Sequence, residues 1–271
     1  MKKNSPKDQW KIIGLFLLTV LLSLGFYLSA EIPQIWQKAT GPFDPSPVLV
    51  EIENLTSDLQ GVYGIYVYRS ADKQSYGIRL SEIFPAASLM KLPVILTLYQ
   101  EVEAGKLNLD DKPAGSVYSH RQLAERMGKY SDNTTNNILV KILGGQKIQQ
   151  TINELGMTKT SFREYETTPE DVGKLFRELY QGNQVNQVDR EEILSFLTKT
   201  IFEDWLPAGI PAGTRVAHKI GKDLGTFSDG GIVFAQKPFI LVIMSKFARE
   251  SEAVAVLPQI SKAVWDFETR P

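Results

Sequence analysis

The chain has 271 residues, 43% hydrophobic and 23% charged, with a formal net charge of −1, the proportions of a folded globular protein. It contains no cysteine and only two histidines, His120 and His218, which excludes disulfides, thiolate catalysis, cysteine-based zinc sites and a three-histidine metal site. Four lysines against one aspartate give the first thirty residues +3 and leave the rest at −4, a mildly acidic body that argues against a nucleic-acid partner. We expect no metal and no cofactor, and read both histidines as surface or turn residues.

Residues 1–11 are short, polar and basic, and residues 12–30 run for nineteen positions without a charge. At about 1.5 Å per residue that length spans a bilayer core. We expect a cytoplasmic basic tail, 1–11, then a transmembrane signal-anchor, 12–30, with the body outside the cell membrane because the lysines precede the apolar run. A cleaved signal peptide is the competing reading, although Leu28 stands where a small residue is preferred. Residues 31–47 carry Pro33, Pro42, Pro45, Pro47 and Gly41 and read as a stiff, extended spacer. The folded body is expected over 48–271.

Within it, a helical apolar spacing over 48–59 leads to β-rich runs at 61–68 and 75–80, joined by a hairpin at Ser70-Ala71-Asp72-Lys73. Helices are predicted over 88–104, 119–128, 133–143, 146–155, 168–181 and 188–198. Thr168-Pro169-Glu170-Asp171 is a start signal: a Thr cap, Pro at the first position and acids in the first turn. Strands follow at 215–220, 228–234 and 238–245, and 250–267 closes the chain as an amphipathic helix. Strands at both ends with helices between predict an α/β (α+β layered) fold. Its antiparallel sheet comes from both chain ends and is flanked by helices, with an all-helical lobe inserted. Sites often lie where such lobes meet.

Three short patterns carry chemistry. Ser88-Leu89-Met90-Lys91 puts a hydroxyl and an amine three residues apart. On a helix they share a face, so the amine can activate the serine without a histidine. Alone, such a pair is commonly a solvated surface feature. Ser131-Asp132-Asn133 reads by itself as a helix cap. Lys219-Ile220-Gly221 reads by itself as an edge strand with a solvated lysine.

Taken together and in this order, the three resemble the penicillin-recognising serine hydrolases, most closely the class A β-lactamases, with their S-x-x-K, S-D-N and K-[ST]-G. Phe84-Pro85 before the serine, Ala104-Gly105-Lys106-Leu107-Asn108-Leu109-Asp110, the approach from Gln122-Leu123-Ala124 to Tyr130, Thr167-Thr168-Pro169 and Pro211-Ala212-Gly213-Thr214-Arg215-Val216 are similar too. The likeness runs from about Val48 to the C-terminus. It implies a β-lactamase/transpeptidase-like fold and an acyl-enzyme mechanism. Ser88 is then the nucleophile and Lys91 its proton acceptor, with a pKa lowered in part by repulsion from Lys219 across the cleft. Ser131 relays a proton to the leaving nitrogen. Asn133 holds the substrate's acylamino side chain, and Lys219 supplies positive charge to Ser131 and the substrate carboxylate. Ile220, Gly221 and Lys222 form the substrate-binding strand, and the backbone N–H groups of Ser88 and Lys222 correspond to the oxyanion hole.

The chain departs from that pattern in three places. The class A loop before Thr-Thr-Pro, which carries the deacylating Glu, is shortened to Ser161-Phe162-Arg163-Glu164-Tyr165-Glu166. Glu164 is a weak replacement base, and Glu166 reads as the structural acid at the neck of that loop. Ile220 replaces a Thr or Ser hydroxyl. Pro93 cannot donate to the Leu89 carbonyl, which predicts an irregular first turn for the nucleophile helix.

We therefore expect a membrane-anchored, extracytoplasmic, monomeric serine hydrolase. It would be acylated on Ser88 by a β-lactam or a peptidoglycan-type, D-Ala-D-Ala-like substrate and deacylate slowly. A peptidoglycan D,D-carboxypeptidase or esterase, and a non-catalytic wall-binding domain on the same scaffold, are the alternatives.

Overall fold

The computed structural model describes residues 36–37 and 43–270. The expected basic tail, the signal-anchor and most of the spacer lie outside the described residues. Among the described residues, no helix is long and apolar enough to cross a membrane.

The first helix, α1, Ser46–Thr56, starts two residues before the predicted boundary. Phe43 lies 5.6 Å from Tyr76 and 5.5 Å from Phe267, centroid to centroid, with the Arg69 guanidinium 3.8 Å over its ring. The folded body thus reaches back at least to Phe43, an aromatic anchor among the spacer prolines that joins the core.

Five antiparallel strands follow the prediction: β1, Val62–Arg69; β2, Ser75–Ile78; and, after the helices, β5, Val216–Asp223, β6, Thr226–Val233, and β7, Phe239–Lys246. They lie in the order β2-β1-β7-β6-β5, so the chain ends meet where β1 pairs with β7, Val62 opposite Lys246 through Arg69 opposite Phe239. A short pair, β3, Phe84–Pro85, and β4, Glu166–Thr167, stands apart from the sheet.

The strands are buried almost continuously, because helices cover both faces. Helix α6, Pro169–Gln181, sends Phe176 against Gly230. On the other face Trp265 of α8, Glu250–Glu268, lies 6.4 Å from Phe239. Thr168 caps α6 by accepting the Asp171 N–H at 3.1 Å.

The helical lobe holds α2, Lys91–Glu103; α3, His120–Tyr130; α4, Asn133–Leu143; α5, Gly145–Glu154; and α7, Gln187–Phe196. Residues 91–99 of α2 are all buried, the mark of a helix surrounded by protein. Pro93 sits in its first turn, where a missing N–H costs no helical bond. The irregularity expected there is a 3-10 turn, Ala87–Met90, running directly into α2.

Both histidines are buried rather than at the surface. His120 is 5% exposed and its Nδ1 lies 2.7 Å from the Asn108 carbonyl. His218 is fully buried. Its Nδ1 is 2.9 and 3.0 Å from the two Asp229 carboxylate oxygens, and its Nε2 is 3.0 Å from Thr200 Oγ1. Strand pairing supplies the partner: Asp229 stands opposite Ile220, two residues from His218 along β5 and so on the same face.

Candidate active site

The turn that carries Ser88 is clamped from two sides. Phe84 pairs with Thr167 and Pro85 with Glu166, and the Ala86 N–H donates to the Tyr165 carbonyl at 2.7 Å. Between these restraints Ala87 takes φ +44°, a left-handed conformation that costs an alanine about 1–2 kcal/mol and persists where flanking structure over-determines it. Ser88 follows in the 3-10 turn, half-buried. It opens into a cleft of about 400 Å³ lined also by Lys91, Asn133, Asn136, Asn137, Tyr165, Lys222 and Asp223.

Beneath Ser88 two lysines are buried: Lys91 is 4% exposed and Lys219 1%. Lys91 Nζ donates to the Ser131 carbonyl, to Asn133 Oδ1 at 2.6 Å and to Ser131 Oγ at 3.2 Å. Lys219 Nζ donates to the same Ser131 Oγ at 2.8 Å. One hydroxyl thus sits between two amines. Burial lowers the Lys91 pKa to about 8, partly opposed by the nearby Asp132 carboxylate. Burial, then repulsion from Lys91, lowers Lys219 to about 7, with Asp229 acting the other way. The lysine repulsion expected from sequence falls chiefly on Lys219; for Lys91 desolvation dominates.

Ser131-Asp132-Asn133 serves as cap and as site at once. Asp132 caps α4, accepting the Thr134 N–H at 2.8 Å and the Thr135 N–H at 3.2 Å. Arg126 grips its other oxygen at 3.0 and 2.8 Å. This locks Ser131 at φ +54° and aims its hydroxyl between the lysines.

Strand β5 forms the opposite wall. A Cβ on Gly221 would lie 3.0 Å from the Ala86 carbonyl and 3.2 Å from Leu89 Cγ, so glycine lets the strand run against the nucleophile turn. It brings Lys222 to the cleft, its side chain paired with Glu250. β5 is a sheet edge, and the start of its outer side is taken up by the His218 N–H donating to the Leu197 carbonyl at 2.8 Å. Ile220 is 4% exposed and lies outside the cleft lining.

The shortened segment is a tight hairpin, closed by Ser161 N–H to Glu166 carbonyl at 2.9 Å and the reverse bond at 3.2 Å. Glu164 lies on its outer side, its side chain 62% exposed, 3.4 Å from Arg163. It does not line the cleft. Glu166 is exposed and engages through its backbone in β4.

Sequence reasoning missed four cleft residues: Asn136, Asn137, Tyr165 and Asp223. The asparagines had a signal, since positions three and four after Asn133 share its helix face. Tyr165 and Asp223 had none, as hairpin and strand-end placement decides their exposure to the cleft.

The Beta-lactamase enzyme family model matches residues 48–267, and the chain belongs to this family as a serine hydrolase of the β-lactamase type. It is 24% identical to the β-lactamase VEB-1 of Pseudomonas aeruginosa, over 93% of this chain and 97% of that protein. It is also 24% identical to β-lactamase 3 of Bacillus cereus, over 72% and 73%. Among solved structures it resembles the last common ancestor of Gram-negative bacterial class A β-lactamases, at TM-score 0.77 and 22% identity over 81% of this chain and 98% of that one. It also resembles PBP-A, at TM-score 0.76 and 25% identity over 83% and 97%.

Proposed function

We propose that this hydrolase is acylated on Ser88 by a β-lactam or a D-Ala-D-Ala-like peptide and releases the acyl group slowly. The observation that carries this is Ser131 Oγ between two buried amines, 3.2 Å from Lys91 and 2.8 Å from Lys219, with Lys91 lining the same cleft as Ser88. As an ammonium, Lys91 fills its donor positions on Ser131 and Asn133. Loss of one proton frees a lone pair for the Ser88 hydroxyl, and with a pKa of about 8 about a tenth of the amine is neutral at pH 7. The serine oxygen attacks the carbonyl as its proton passes to Lys91. The oxyanion is held by the backbone N–H groups of Ser88 and Lys222. Lys91 returns the proton through Ser131 to the leaving nitrogen, while Lys219 stabilises the Ser131 hydroxyl and meets the substrate carboxylate.

The exposed Glu164, paired with its sequence neighbour, supports slow deacylation. The same hairpin favours the second reading, a peptidoglycan D,D-carboxypeptidase, which needs no water-activating carboxylate there. The uncharged run 12–30 supports a tether that holds a monomeric body at the outer face of the cell membrane.

Mass spectrometry of the full-length protein with benzylpenicillin tests the proposal: one adduct per chain on wild type and none on Ser88→Ala. Neither adduct nor lactam hydrolysis by wild type would contradict it. Release of D-Ala from a pentapeptide distinguishes the carboxypeptidase reading.

A further inference from the structure

Strand β5 turns successive side chains to opposite sides, and its two sides have different neighbours. On one, Lys219 Nζ reaches Ser131 Oγ at 2.8 Å, and a Cβ on Gly221 would point at the Ala86 carbonyl and Leu89, in the turn that carries Ser88. On the other, His218 meets Asp229 and Lys222 meets Glu250 of α8. Asp223 stands two residues beyond Gly221, so it belongs to the side that faces Ser88, and it lines the cleft. The residue is exposed, within reach of whatever the cleft admits.

Charge sets Asp223 apart within the cleft. The two cationic residues of the lining are committed elsewhere: Lys91 donates to Ser131 and Asn133, and Lys222 is paired with Glu250. Asp223 is the one lining carboxylate. One of its oxygens accepts the Leu224 N–H at 2.8 Å, and among the described residues no lysine or arginine forms an ion pair with it. A molecule in the cleft therefore meets an uncompensated negative charge on the strand wall, and a charge so placed sorts ligands by sign.

We propose that Asp223 selects substrates that carry an ammonium group on the acyl side of the scissile carbonyl. The inference rests on the acyl-enzyme reading above. In that reading the substrate carboxylate meets Lys219 and the scissile carbonyl meets the Lys222 N–H, so the substrate runs along β5 in chain order. Whatever lies beyond the carbonyl, on the acyl side, then reaches Asp223. For a β-lactam the group is an amine on the acylamino side chain. For a peptide it is the side-chain amine of a diamino acid preceding the two D-Ala residues. An anionic group at the same place is repelled, which adds discrimination to attraction.

Benzylpenicillin, ampicillin and carbenicillin differ at a single side-chain carbon, which bears a hydrogen, an amine or a carboxylate, so they read the charge preference directly. Acylation rates of full-length wild type, Asp223→Asn and Asp223→Lys are measured by intact-protein mass spectrometry at pH 7, where an α-amine is mostly protonated. Each rate is divided by the benzylpenicillin rate of the same protein. From wild type to Asp223→Asn the ampicillin ratio should fall about threefold and the carbenicillin ratio rise about threefold, the size of an exposed ion pair. Asp223→Lys should move both ratios further in the same directions, and added salt should shrink the wild-type preference. Ratios that are the same in all three proteins would overturn the inference and leave the acyl-enzyme reading standing, whether or not the variants are slower throughout. An unlabelled wild type would defeat the acyl-enzyme reading itself, and this inference with it.

Discussion

The floor and the hairpin rim of the cleft are built by opposite rules. On the floor Lys91 and Lys219 are almost wholly buried and share one serine hydroxyl, and their pKa values fall towards neutrality because burial penalises the ammonium. On the rim Arg163, Glu164 and Tyr165 are exposed, and the Glu164 partner is its neighbour in sequence. Burial lowers the proton affinity of the two floor lysines, while the rim carboxylate of Glu164 stands in solvent beside Arg163. On the proposed reading, the cleft is thus equipped for the first half of an acyl-transfer cycle, while the second half depends on what the cleft can hold.

Breaking the floor should have the largest effect. Lys91→Ala removes the base and should slow acylation by about 10²–10⁴-fold. Acylation by wild type should rise with pH through about 8, since the neutral amine is the active form, and the variant should lose that limb. Stopped-flow acylation across pH 6–10 checks both, and a pH-independent wild type would remove Lys91 from the role.

The support behind the floor comes next. Burial alone would lower the His218 pKa, but the Asp229 and Glu203 carboxylates outweigh it and raise it to about 9 from 6.5. A folded pKa above the unfolded one stabilises the protein fully below pH 6.5, and the contribution fades as pH rises through 9. Relative to wild type, His218→Asn should therefore be less stable by about 3 kcal/mol below pH 6.5, with the gap narrowing as pH rises through 9. Urea titrations at pH 6 and pH 9.5 measure it, and an equal gap at both would refute the buried ion pair.

The rim should matter least. Glu164→Gln should change acylation and deacylation by less than about twofold, as expected for an exposed carboxylate whose pairing is worth little. A tenfold loss of deacylation, read as decay of the adduct once free drug is removed, would show that the hairpin closes over the site, and would erase the contrast.

Much of this contrast was legible in the sequence. Ser88, Lys91, Ser131, Asn133 and Lys219 were legible because three short motifs in one order resemble those of the penicillin-recognising serine hydrolases, although each alone reads as a surface pair, a helix cap or an edge strand. Pro93 marked the irregular start of the nucleophile helix. Glu164 was the open term, because whether a carboxylate in a four-residue hairpin faces inward depends on closure between Ser161 and Glu166. The burial of His218 was hidden for a similar reason, since its partner Asp229 arrives through strand register. Phe43 was missed because prolines dominated the reading of its segment.

The most direct test of the central claim is a burst experiment on full-length wild type with excess benzylpenicillin, reading adduct and hydrolysed product over time. A rapid rise to one adduct per chain on Ser88 is expected, followed by product release many-fold slower than the burst. Fast linear turnover with no accumulating adduct would contradict it.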